Sequence, residues 1–146
     1  MNIYKIKESI TNAIPFDRKI EEEVTFYKID KHRYLLFWDG IIERNDIDKI
    51  LDFILSKTSN DNFHPIRTII VLGETVDTFE KKDLVYCYMN HTGSSKDVTV
   101  FVNFYLLNKK RKQIYKDDSW TFPIGLGYRK IIRKLDRIIR SHITYS

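Results

Sequence analysis

Apolar residues recur along this chain with two periods, and those periods divide it into helices and strands. Ile3, Ile6, Ile10, Ala13 and Ile14 fall on one helical face and Pro15 closes the run, which predicts an amphipathic helix over residues 2–14. Residues 24–29 and 33–38 are rich in β-branched and aromatic side chains and are separated by Asp30-Lys31-His32, the pattern of a hairpin whose second strand ends at Asp39-Gly40. The clearest helical repeat follows: Ile47, Ile50, Leu51, Ile54 and Leu55, with Asn45 placed as N-cap and Asp48 in the first turn.

After the polar run Ser59-Asn60-Asp61-Asn62, residues 67–72 form a nearly unbroken apolar segment ended by Gly73. Such a segment predicts a strand covered on both faces, hence a central one. Residues 84–89 and 98–107 predict two further strands on either side of His91-Thr92-Gly93-Ser94-Ser95, and residues 113–116 a short one after Asn108 to Lys112, together an antiparallel meander. Phe122-Pro123-Ile124-Gly125-Leu126-Gly127 then leads into a helix with Ile131, Ile132, Leu135, Ile138 and Ile139 on one side. The expected fold is a single α+β domain over residues 1–146, a largely antiparallel sheet of about five to six strands packed by an N-terminal, a central and a C-terminal helix.

Composition bounds the class. With 146 residues, 42% of them hydrophobic, and only 5 Gly and 3 Pro, the chain can bury a core without a disulfide or metal. Met1 to Glu8 lack the apolar core of a signal peptide, and no stretch approaches the roughly eighteen apolar residues of a membrane span, so a cytoplasmic protein with no membrane partner is expected. The single Cys87, between Tyr86 and Tyr88 in a strand-like run, is expected to be a buried structural thiol.

Charge changes the picture more. Residues 101–146 hold eleven Lys/Arg against Asp117, Asp118 and Asp136, a net of +8, so the overall +5 leaves −3 for the first hundred residues. An anionic partner at the C-terminal end is the natural expectation. Two clusters carry the excess. The final helix places Arg129, Lys130, Arg133, Lys134, Arg137 and Arg140 off its apolar stripe, with Asp136 as the only acid between Tyr128 and Arg140. Like charges at helical spacing cost about 0.2–0.5 kcal/mol per pair, so either a partner relieves the repulsion or the face is merely solvated. The second cluster, Lys109-Lys110-Arg111-Lys112, sits at an expected hairpin tip, where it extends the same field.

Other candidates are weaker. Glu80-Lys81-Lys82 contains the Glu-x-Lys of many metal-dependent nucleases, with Asp61 or Asp77 as a second carboxylate for Mg²⁺, but such a tripeptide is frequent by chance in a chain that is 31% charged. Asp117-Asp118-Ser119 suits a turn better than a metal. His32, His64, His91 and His142 show no zinc spacing, and Gly125-x-Gly127 is a helix entry that at most binds one anion. Phe101, Phe104, Trp120 and Phe122 read as core residues, while Tyr86, Tyr88 and Tyr105 would stack on bases only if the sheet were open.

No catalytic residue, metal site or cofactor is expected from these patterns. The best-fitting class is a non-catalytic accessory or adaptor subunit of a larger bacterial or phage assembly, a multi-gene antiviral defence system being one such setting. Ile/Lys/Asn-heavy usage resembles an AT-rich bacterial or phage source. The partner would be a protein in a hetero-complex, with DNA or RNA at the basic C-terminal third as the alternative and a small Mg²⁺-dependent nuclease as a third reading.

Overall fold

A computed structural model describes residues 3–13, 18–21, 25–29, 33–57, 66–90, 98–116 and 128–144. In chain order they form α1 (Ile3–Ala13), β1 (Arg18–Glu21), β2 (Thr25–Lys28), β3 (Arg33–Ile41), α2 (Ile47–Lys57), β4 (Ile66–Glu74), β5 (Val85–Asn90), β6 (Val98–Asn108), β7 (Gln113–Tyr115) and α3 (Tyr128–Thr144), with 3-10 turns at Arg44–Asp46 and Lys81–Asp83. The strands make one seven-stranded sheet in the order β1-β2-β3-β4-β6-β5, with β7 paired to β6.

The fold is α+β. Four of the six pairings are antiparallel, as the hairpin patterns predict, but the two central ones, β3 with β4 and β4 with β6, are parallel. The cause lies in α2, which carries the chain back from the end of β3 to the start of β4, as parallel neighbours require. β6 then joins β4 rather than continuing a meander beyond β5, because its long apolar run belongs in the centre. β5 is left at one edge, pairing only with the first half of β6, while β7 pairs beside the second half.

Alternation along the central strands divides the core in two. Tyr34 and Leu36, Ile69 and Val71, and Val100, Val102, Phe104 and Leu106 pack beneath α2 through Ile47, Ile50, Leu51 and Ile54. On the opposite face Leu35 and Phe37, Ile70 and Leu72, and Phe101, Tyr105 and Leu107 meet α1 through Ile6 and Ile10 and α3 through Leu135 and Ile139. Ile69, Ile70, Val71 and Leu72 are all at most 2% exposed. At about 2 kcal/mol per side chain they contribute roughly 8 kcal/mol of burial, comparable to the net stability of a whole domain, which accounts for the central place of β4.

Simple rules explain four departures from expectation. β1 has a single apolar residue, Ile20, among three charges, so periodicity misses it, and such a sequence suits its edge position. β3 does not end at Asp39-Gly40: Gly40 adopts φ 88°, open to glycine, so the strand bulges and still pairs Ile41 with Glu74. Asn45 does not cap α2. The helical run begins in the Arg44–Asp46 turn, where the Glu43 N–H donates to Asp46 Oδ2 at 2.9 Å and Asp46 performs the satisfying role. Cys87 is exposed rather than buried, because β5 is an edge strand whose outward faces are only partly covered.

Candidate binding surface

The β6–β7 connection is held from beneath by a buried polar side chain. Asn108, 1% exposed, accepts the Arg111 N–H on Oδ1 at 3.0 Å and donates from Nδ2 to the Asp77 carbonyl at 3.2 Å. Lys112 takes φ 53° and donates its N–H to the Lys109 carbonyl at 3.3 Å, closing the turn. Lys109, Lys110, Arg111 and Lys112 are therefore exposed on a braced tip. Lys109 pairs with Glu74 at 3.1 Å, whereas among the described residues no carboxylate pairs with Lys110, Arg111 or Lys112.

On α3 the apolar stripe is anchored by Leu135 and Ile139, both fully buried. Helical spacing then turns Arg133, Arg137 and Arg140 outward, all exposed, with Lys134 half-buried beside them. Arg129 and Lys130 lie on the helical backbone one turn earlier, and their side chains fall outside the described residues. The lone acid, Asp136, is drawn inward: it accepts a hydrogen bond from Tyr105 OH and forms an ion pair with Lys116 Nζ. With Asp136 so engaged, the outer row of α3 lacks a carboxylate partner at Arg133, Lys134 and Arg137 among the described residues. The far end of the helix is tied to α1 by Ser9 Oγ and His142 Nε2 at 3.0 Å.

The Lys116–Asp136 pair also connects the two basic clusters. Lys116 follows β7 directly, and four residues of extended chain from Lys112 span about 13 Å. That reach joins the tip to the residue that pairs with Asp136 on α3.

The remaining candidates separate. Glu80 precedes the 3-10 turn ahead of β5 and pairs at 3.4 Å with Lys82 within it, both exposed, while Asp77 accepts the Arg44 N–H at 3.0 Å. Among the described residues no group of three or more His, Cys, Asp or Glu is placed to hold a metal ion. Asp61, Asp117, Asp118, Ser119, His32, His64, His91, Trp120, Phe122, Gly125 and Gly127 lie outside the described residues.

The three tyrosines do not form a stacking platform. Tyr105 is 1% exposed under α3, whereas Tyr86 and Tyr88 sit on the α2 side of β5, half-buried. Burial raises the pKa of both, and the carboxylates of Asp83 and Asp48 push Tyr86 further, those of Asp48 and Asp52 Tyr88. Sequence reasoning also missed Arg67, 2% exposed within the α2-side core at the start of β4, where burial lowers its pKa and Tyr34 partly offsets that shift. Only its place next to an apolar run hints at such a position. No helix among the described residues is long and apolar enough to cross a membrane. No protein-family model, curated protein or solved structure matches the chain.

Proposed function

We propose that the protein is a non-catalytic adaptor subunit that binds an acidic protein partner through the outer row of α3, with the Lys109–Lys112 tip strengthening the field. The observation that carries the reading is the inward turn of Asp136 onto Tyr105 and Lys116, which leaves Arg133, Lys134 and Arg137 without a carboxylate partner among the described residues. Like charges at helical spacing then repel, and a complementary carboxylate surface would relieve that cost while fixing orientation and raising the association rate. A protein surface fits better than nucleic acid because Tyr105 is buried under α3 and Tyr86 and Tyr88 pack on the opposite side of the sheet, so these three rings offer the cations no stacking platform and phosphate contact alone would give affinity without sequence preference.

The test is affinity capture from a native source, followed by the same capture with Arg133→Glu and Arg137→Glu. A stoichiometric acidic partner lost on charge reversal and weakened by salt supports the reading. Retention of that partner by the reversed protein, or a salt-dependent shift of DNA or RNA by the protein alone, counts against it.

A further inference from the structure

The carboxyl ends of the three parallel strands form a rim with an unusual order of side chains. β3 ends at Ile41, β4 at Glu74 and β6 at Asn108, and because β3, β4 and β6 run parallel these ends lie together. Backbone bonds hold the rim together: Ile42 N–H to the Glu74 carbonyl at 2.7 Å and Thr75 N–H to the Leu107 carbonyl at 2.9 Å. Side chains brace it further. Arg44 donates from its guanidinium to the Thr78 carbonyl and lies over the Phe79 ring at 5.4 Å, and Asn108 holds Asp77. A rim so cross-linked is a preformed surface rather than a set of loose loops.

Its composition runs from acidic through apolar to basic. At the β3 end stand Asp39 and Glu43, both exposed, beside Arg44, whose guanidinium is turned onto the Thr78 carbonyl and the Phe79 ring. Ile41, the last residue of β3, and Val76, just past the end of β4, are 52% and 55% exposed, the large apolar side chains left most open among the described residues. Next to Ile41, Gly40 has open space where a Cβ would stand, so another chain can approach closely. At the β6 end stand Lys110, Arg111 and Lys112, none paired with a carboxylate among the described residues. With β4 between them, the β3 and β6 ends are about 10 Å apart.

Such a sequence of charges is complementary to itself when reversed. We infer that this rim is a homodimer interface in which a second copy docks rim to rim about a two-fold axis normal to the sheet near the end of β4. The axis brings Asp39 and Glu43 of each copy against Lys110 to Lys112 of the other and buries Ile41 and Val76 between them, an isologous contact of the commonest kind. The charges set register and the apolar pair supplies the dry centre. The occupant is a second copy because one patch supplies both halves of the match; an external acidic partner would satisfy the basic end and leave Asp39 and Glu43 facing like charge. The contact uses no residue of α3; in the dimer the tip is engaged by Asp39 and Glu43 of the other copy, and the α3 row alone meets the partner proposed above.

The test is sedimentation equilibrium of the full chain over a concentration series at low salt, with two charge-reversed proteins: Asp39→Lys with Glu43→Lys, and Lys110→Glu with Lys112→Glu. All four positions are exposed, and circular dichroism checks that the variants fold. Wild type should dimerise. Each reversed protein alone should dimerise at least about tenfold more weakly, and an equimolar mixture should recover a 1:1 dimer because opposite charges again meet at both ends. Independently, Val76→Ser should raise the dimer dissociation constant about tenfold. A monomeric wild type, a mixture that fails to recover the dimer, or a Val76→Ser protein that dimerises like wild type overturns the inference. Partner capture through Arg133 and Arg137 is read in a separate assay, so either idea can fail alone.

Discussion

Replacing Asp136 by Ala tests how the basic helix is held. The carboxylate accepts from Tyr105 OH and pairs with Lys116, and the side chains of Asp136 and Lys116 are only 19% and 16% exposed. Solvent screening is weak at that depth, so each charge-assisted contact contributes about 1.5 kcal/mol, and their joint loss costs about 3 kcal/mol, part of it from leaving Lys116 and Tyr105 OH without this acceptor. For a chain of this size that lowers Tm by roughly 10 °C. Thermal unfolding followed by circular dichroism gives the loss directly, and a double-mutant cycle with Lys116→Met isolates the pair, for which a coupling of about 1–2 kcal/mol is expected. In 1 M NaCl the loss should persist, because a partly buried pair is poorly screened. A coupling below about 0.3 kcal/mol, or a loss that vanishes in salt, would show that the apolar stripe and the Ser9–His142 contact seat the helix without Asp136 and refute the role given to it.

Other consequences follow from single contacts. Gly73→Ala places a Cβ against the Ile42 side chain and should destabilise the protein by about 1–3 kcal/mol in urea unfolding with an unchanged m-value. Asn108→Ala removes the bonds to Asp77 and Arg111 and should cost roughly 2 kcal/mol, with faster amide exchange at Arg111 as the local signature. Tyr86 and Tyr88 have pKa values raised in the fold, so the native state holds its phenolic protons longer than the unfolded chain. Stability is then complete below the ordinary tyrosine value and falls as pH rises from about 10, and Tyr86→Phe with Tyr88→Phe should flatten that fall in pH-dependent urea titrations.

How much of this was legible depends on the range over which each feature is decided. Helix α2 could be read because its apolar spacing is a local property, and only its first turn was misplaced, since Asp46 bonding to Glu43 competes with a cap at Asn45. The strand pattern at residues 67–72 correctly implied a centre covered on both faces. Pairing direction was not legible: the strand at 98–107 reads equally well beside β5 alone or between β5 and β4, and its burial against both faces of the core chose the latter. Of the candidate surface, the cationic types and their helical spacing were visible, whereas the inward turn of Asp136 was not, because its partners Tyr105 and Lys116 are 31 and 20 positions away in the chain.

By itself the sequence determined the element types outside β1, the apolar faces and the concentration of cations in the last third, since each rests on residues within one or two turns of one another. The tertiary structure alone decided that the central strands run parallel, that Tyr105 lies on the opposite face from Tyr86 and Tyr88, that Asp136 spends its charge on Lys116, and that Asp39, Ile41, Val76 and Lys110 share one rim. These are relations between distant segments, created when the strands of one sheet are brought to a common edge.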